Sequence, residues 1–236
     1  MLENHRHAIW WSLALLGATV FVFAAVGRHP PSEAPATTLP FVGEWDLSVY
    51  RWMDDIRNEP LTLLARFFNI LGSGVVTIPL RVLVAAWLVV RRRWRALGAW
   101  LLTWAAAEII LAGAKGFYHR ERPPGSLVEI VGFSFPSGHA VAGAATAVAL
   151  VLVLLPTGPA RRRWEIAAIA FAFVMAFSRV YLRAHWLSDV VAGVMLGTGV
   201  ALGTAGFATE VRDIVMRSKT SAAASSEAIP AELEPP

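Results

Sequence analysis

The sequence predicts an all-α protein: a bundle of six transmembrane helices, N-in/C-in, with an extracytoplasmic active site. Three observations lead there. Hydrophobic residues make up 56% of the 236 residues and charged residues 16%, with a mean hydropathy of +0.54, whereas a soluble domain carries about 25% charge. Six apolar stretches reach the roughly 17–25 residues that a helix needs to cross the hydrocarbon core, and none shows the period-2 alternation of a membrane barrel. Polar and ionisable residues, costly within a membrane, collect at one end of these stretches. Lys plus Arg number 21 against 17 acids, a net charge of +4. That surplus suits an anionic lipid surface or a phosphorylated substrate and is too small to imply nucleic acid. Cysteine is absent, which excludes disulfides, a thiolate nucleophile and Cys-based zinc sites.

The elements follow in order. The first apolar stretch, 8–26, follows basic residues, as a signal peptide would. Its apolar run is longer than a signal core and no Ala-x-Ala site ends it, so 1–27 reads as an uncleaved first transmembrane helix. Residues 28–73 read as an extracytoplasmic linker and interfacial helix. Pro30, Pro31, Pro35 and Pro40 mark 28–44 as an extended linker. Leu61, Leu64, Phe67, Phe68 and Leu71 recur at helical spacing with Arg66 and Asn69 off that face. That pattern fits a helix on the membrane surface, or an N-terminal extension of the second span. The core, 74–207, holds five further spans at about 74–90, 97–115, 138–155, 164–180 and 189–207. Residues 208–236, Ser/Ala/Glu/Pro-rich from 218 onward, read as a disordered cytoplasmic tail.

Orientation follows from the arginines. With the N-terminus inside, the inside loops hold Arg6, Arg91, Arg92, Arg93, Arg95, Arg161, Arg162 and Arg163. Their density is about fourfold that of the outside segments, which predicts N-in/C-in. In the plasma (inner) membrane, where the protein is expected, this orientation puts its polar cluster outside.

That cluster comes from four helices. Lys115 ends the third span and Arg122 follows in the next loop. Pro136-Ser137-Gly138-His139 opens the fourth, Ser178 and Arg179 end the fifth, and His185 and Asp189 stand at the entrance to the sixth. Three cations, two histidines and a carboxylate suit phosphoryl transfer. The cations neutralise a phosphate and its transition state, and a helix N-terminus at Gly138 offers free N–H groups and a positive dipole end. One histidine can attack phosphorus while the other protonates the leaving oxygen. His185 and Asp189, spaced i, i+4, share a face if the helix begins before His185; the carboxylate then orients the ring. Nothing in this chemistry requires a metal.

Lys115-x6-Arg122-Pro123, Pro136-Ser137-Gly138-His139 and Ser178-Arg179-x5-His185-x3-Asp189 resemble the three-part signature of the type 2 phosphatidic acid phosphatase superfamily, which also includes vanadium haloperoxidases and bacterial acid phosphatases. The resemblance runs from 115 to 189 with no departure at the signature's fixed positions. It implies that His185 is the nucleophile forming a phosphohistidine, that Asp189 orients it and that His139 is the general acid. It implies that Lys115, Arg122 and Arg179 bind phosphate with Ser137 and the Gly138 amide, and that no metal or other cofactor takes part. The expected function is a membrane lipid phosphatase whose substrate enters from the bilayer. The substrate would be a lipid phosphate or polyprenyl diphosphate, such as an undecaprenyl-type diphosphate, phosphatidic acid or phosphatidylglycerol phosphate. The alternatives are a lipid phosphotransferase, a non-catalytic lipid-binding or transport protein, and a haloperoxidase.

Outside the signature, His119 and Arg120 read as solvated loop residues and Arg183 as a candidate head-group contact. Trp10, Trp94, Trp164 and Trp186 read as interface anchors. Arg81 and Glu108 each lie seven residues from the outer end of a span, about 10 Å deep at 1.5 Å per residue. The short 91–96 loop makes these spans antiparallel neighbours, so the two side chains are expected to form a buried ion pair supporting the helix that presents Lys115. The alternative is that Arg81 snorkels outward to lipid head groups and Glu108 is protonated.

Overall fold

The structure is a computed structural model that describes residues 5–26 and 38–227. Eight helices make up the fold: α1 (His5–Val26), α2 (Pro40–Asp55), α3 (Glu59–Leu71), α4 (Gly74–Val90), α5 (Trp94–Tyr118), α6 (Gly138–Leu154), α7 (Pro159–Tyr181) and α8 (Leu187–Glu227). No strand occurs among the described residues.

Four of the six predicted spans, in α1, α5, α7 and α8, are helices long and apolar enough to cross a membrane. Helix α4 qualifies together with α3, from which it is bent by 44°. Helix α6 is an apolar helix of 17 residues. Their outward faces carry Leu13, Phe21, Leu83, Ile109, Phe173 and Val191 in exposed positions, a surface that belongs against lipid rather than water. The chain is therefore a multi-pass membrane protein.

The predicted linker 28–44 is corrected at its C-terminal end. Residues 28–37 lie outside the described residues, but Pro40 occupies the first turn of α2. Proline at that position starts a helix rather than breaking one, because the N–H it lacks has no helical partner there. Val42, Asp46, Val49 and Met53 then follow at helical spacing and face inward. The predicted tail is corrected as well. Helix α8 continues through 208–227, a stretch whose alanines favour helix, while 228–236 lie outside the described residues. Helix α3 is a separate helix, capped by Asn58, whose side chain accepts from the Leu61 N–H at 2.9 Å.

Helix α6 lies at the centre and packs against α4, α5, α7 and α8, while α1 lies along α8. Lipid removes the hydrophobic drive between helices, so small residues that let backbones approach set the packing. A Cβ added at Gly197 would stand 2.5 Å from the Val141 carbonyl oxygen and 2.9 Å from the Ala145 nitrogen, and one at Gly193 would stand 2.8 Å from the Ala140 Cβ. This approach brings the N-termini of α6 and α8 together, and the Ser137 N–H donates to the Asp189 carbonyl at 3.0 Å.

Arg81 and Glu108 do meet, at 2.9 Å, but their exposure is unequal: the Arg81 side chain is 4% exposed and that of Glu108 48%. The guanidinium also donates to Thr146 Oγ1 at 2.9 Å and lies 5.4 Å from the Trp104 ring. The pair ties α4 and α5 to the middle of α6.

Two outcomes are expected. Gly197→Val should force α6 and α8 apart, costing about 1–3 kcal/mol or more from overpacking and lowering both the thermal midpoint in detergent and activity. A valine variant that matches the wild type in both would contradict the close approach. Glu108→Ala strands the buried Arg81 charge. Its loss of stability should therefore exceed that of Arg81→Leu/Glu108→Ala, with a coupling of about 1–3 kcal/mol; additive losses would reject the pair.

Candidate active site

The site forms where α5, α6, α7 and α8 begin or end on one side of the bundle, closed by the loop 119–137 and by α2 and α3. All eight residues singled out in the sequence lie here. Lys115 sits in the last turn of α5 and Arg179 in the last turn of α7. Ser137 is the N-cap of α6, and Gly138 and His139 open its first turn. Lys115 is within electrostatic reach of Arg122, Arg179 and Asp189, and His139 of Arg179, His185 and Arg122.

His185 and Asp189 meet by a different route from the predicted helix face. Helix α8 begins only at Leu187, so His185 precedes it. The Asp189 carboxylate folds back over the helix start and accepts from the Trp186 N–H at 2.9 Å. Its Oδ2 then faces His185 Nδ1 at 3.5 Å and also accepts from Ser134 Oγ. His185 Nε2 points to the opposite side, 3.2 Å from Arg122 Nη1. The imidazole is 3% exposed. Burial pushes its pKa down to about 4, with Arg179 and Arg122 adding to the effect and Asp189 pulling the other way. At neutral pH the ring is neutral, with the Nε2 lone pair directed toward Arg122.

The cations are gathered by carbonyl oxygens. Arg122 donates to the carbonyls of Gly132 at 2.8 Å, Ala184 at 2.7 Å and Phe133 at 3.0 Å. Lys115 Nζ donates to the Phe133 carbonyl at 2.5 Å. Asn69 of α3 binds two members at once: its side-chain oxygen accepts from Arg179 Nη1, and its backbone oxygen lies 3.2 Å from His139 Nε2.

Three readings outside the signature are corrected. Arg120 is not a solvated loop residue. It is 1% exposed and bridges Asp46, at 2.7 Å, and Asp189, at 2.5 Å. Arg183 is held within the protein, paired with Asp54 and 4.4 Å from the Tyr50 ring. Trp186 is buried, with its indole N–H donating to the Glu121 carbonyl at 3.0 Å, whereas Trp10, Trp94 and Trp164 are exposed. Asp46, Ser134, Ser188 and Asn69 enter the site without having been read from the sequence. Asp46 left a signal: it is an acid in the inward stripe of α2. Asn69 left a weaker one, as a polar residue in an apolar helix. Nothing separates Arg120 from a surface arginine except its place two residues before Arg122.

Known proteins bear directly on this geometry. The model of the PAP2 superfamily matches residues 96–212, a span that contains all eight residues but neither Asp46 nor Asn69. Undecaprenyl-diphosphatase of Sulfolobus acidocaldarius is 31% identical over 155 residues, covering 61% of this chain and 70% of that protein. Phosphatidylglycerophosphatase B of Bacillus subtilis is 29% identical over 148 residues, covering 60% of this chain and 72% of that protein. The crystal structure of a transmembrane PAP2-type phosphatidylglycerolphosphate phosphatase from Bacillus subtilis shares the fold, with a TM-score of 0.74 at 24% identity over 86% of this chain and 98% of that one. The order and spacing of the three motifs, their convergence on one site and this shared fold agree: the chain belongs to the PAP2 superfamily.

Proposed function

We propose that this protein is a membrane lipid phosphatase that hydrolyses a lipid phosphate or polyprenyl diphosphate through a phosphohistidine on His185. One observation carries the reading. A buried, neutral imidazole is backed by Asp189 on Nδ1, and its Nε2 faces Arg122, with Arg179 and Lys115 in electrostatic reach.

In this mechanism Lys115, Arg122 and Arg179 hold the phosphate, joined by the Ser137 hydroxyl and the Gly138 N–H. The Nε2 lone pair forms a bond to phosphorus as the bond to the leaving oxygen breaks. His139, protonated once the negative phosphate faces it, gives that proton to the oxygen, and the His185 ring, its own proton on Nδ1 toward Asp189, becomes a phosphoimidazolium. Water, deprotonated by His139, then attacks phosphorus, and phosphate leaves with His185 restored. The protein's own cations neutralise the transition state, so no metal is required.

The substrate class rests on the relatives, named for undecaprenyl diphosphate and phosphatidylglycerophosphate, and on the apolar helices around the site, which let a lipid chain stay in the bilayer while its phosphate enters. The reading includes six spans with the site on the extracytoplasmic side of the plasma membrane. In its support, Arg92, Arg93, Arg95 and Arg161 line a cleft of about 810 Å³ beside Leu152 and Leu155. That is the far end of α6 from His139, so the arginine-rich loops and the phosphate chemistry occupy opposite ends.

The test is phosphate release in detergent with EDTA across a panel of lipid phosphates, with acid-quenched phosphoenzyme trapped from labelled substrate. His185→Ala should lose activity about a thousandfold or more and trap no label, with its thermal midpoint unchanged. Turnover by a folded alanine variant would overturn the mechanism.

The pH profile gives a second expectation. A nucleophile must be unprotonated, so the rate falls as pH drops through the His185 pKa. Because that pKa is depressed to about 4, the acid limb should lie well below the usual histidine range near 6.5. Asp189→Asn removes an anion that raises this pKa and should move the limb further to acid while lowering the rate. A limb that stays in place would belong to the substrate phosphate and not to His185.

A further inference from the structure

Behind His185 lies a second carboxylate that the phosphatase chemistry leaves unused. Asp46 enters from α2, outside the segment matched to the family. It is 1% exposed, as is Arg120, and Asp189 is 0% exposed. Arg120 donates Nη2 to Asp46 at 2.7 Å and Nη1 to Asp189 at 2.5 Å. Ser188 knits the same groups: its hydroxyl accepts from Arg120 at 2.7 Å and donates to Asp46 at 2.7 Å, and its N–H donates to the other Asp46 oxygen at 2.8 Å.

Two of the partners of the Asp46 carboxyl, the Arg120 guanidinium at 2.7 Å and the Ser188 N–H at 2.8 Å, can only donate, and both favour its ionised form. Burial raises its pKa, Asp189 adds to that, and Arg120 and Ser188 oppose it. For Arg120, burial works against the charge, and Asp189 and Asp46 outweigh it. With Asp46 ionised against the guanidinium it pairs with at 2.7 Å, the cluster holds two negative charges and one positive. Without Asp46, Arg120 would cancel Asp189 and leave nothing for the imidazole. With it, one negative charge is in excess, in surroundings of low dielectric where it acts strongly.

Building on the phosphohistidine reading above, we propose that Asp46 and Arg120 are positioning residues. Arg120 holds the Asp189 carboxylate in place. Asp46 offsets the Arg120 charge, so that Asp189 faces His185 as an uncancelled anion when the ring becomes a phosphoimidazolium. The other groups facing His185 are Arg122 and Ser134 from the loop, Arg179 from α7 and His139 from α6. The arginines oppose a cationic ring, so the excess negative charge on the Asp189 side is what favours it.

The charge count sets the experiment, made on the full-length protein in detergent. Asp46→Asn leaves the cluster neutral. It should slow single-turnover formation of the phosphoenzyme about tenfold to a hundredfold with KM little changed, and move the His185 titration to lower pH, read by nitrogen NMR of the imidazole. Asp46→Asn/Arg120→Met restores one net negative charge and should recover both the rate and the titration toward wild type. Ser188→Ala keeps every charge and should keep the rate within a few-fold. The double variant tests the charge count even if Asp46→Asn alone does not fold. A folded Asp46→Asn protein with wild-type rate and titration would overturn the proposal, as would a folded double variant whose His185 titration stays where Asp46→Asn puts it. Equal losses in Ser188→Ala and Asp46→Asn would also overturn it, because they would assign Asp46 a purely structural role. If the wild type itself traps no phosphohistidine, the reading of His185 as nucleophile fails instead; the NMR titration still tests the charge effect.

Discussion

A carboxylate with no access to water organises the end of the bundle where the chemistry is read. Charge taken out of water is tolerated only if its lone pairs are met, and Asp189 is met from several directions. The Trp186 N–H, Ser134 and Arg120 all donate to its side chain, and the His185 ring faces it. Its backbone oxygen takes the Ser137 N–H. These donors come from the turn before α8, the loop after α5 and the start of α6. Meeting the needs of one anion therefore sets the mutual placement of three segments distant in sequence, and α2 is drawn in through Arg120. The loop 119–137 is held in place because Arg120, Arg122 and Ser134 have partners in this cluster.

The close contact of α6 and α8 makes that arrangement reachable. With backbones separated by little more than glycine and alanine, the N-terminus of one helix lies beside that of the other. Helices kept apart by leucine side chains would set His139 and Asp189 several ångströms further apart. Arg81 serves the same geometry from below. Its bonds to Thr146 and Glu108 link α4 and α5 to the middle of α6, below the turn that presents Lys115.

The helices that carry the signature were legible because hydropathy and length report directly on spans, and because the motif residues stand at helix ends where polarity is conspicuous against apolar surroundings. The Arg81–Glu108 contact was legible for a related reason: depth along a span is simple arithmetic. Other features needed tertiary information. The proline-rich segment before α2 looks extended until Pro40 is seen in a first turn. The i, i+4 spacing of His185 and Asp189 suggested a shared helix face, yet the contact depends on a carboxylate folding back over a helix start. Arg120 is indistinguishable from a solvated arginine until Asp46 arrives from another helix. Local pattern reveals where a polar residue sits along the chain, but burial by a distant segment leaves no local trace.

The bend between α3 and α4 has a wider meaning. Leu63, Leu64, Phe67 and Ile70 of α3 face outward, so this short helix rests on whatever solvates the protein. On its other side Ala65 is buried and Asn69 contacts Arg179 and the ring of His139. Any tilt that the surrounding acyl chains impose on α3 is thereby delivered to two groups at the site. A single short helix thus joins the apolar surface of the protein to the polar cluster inside it.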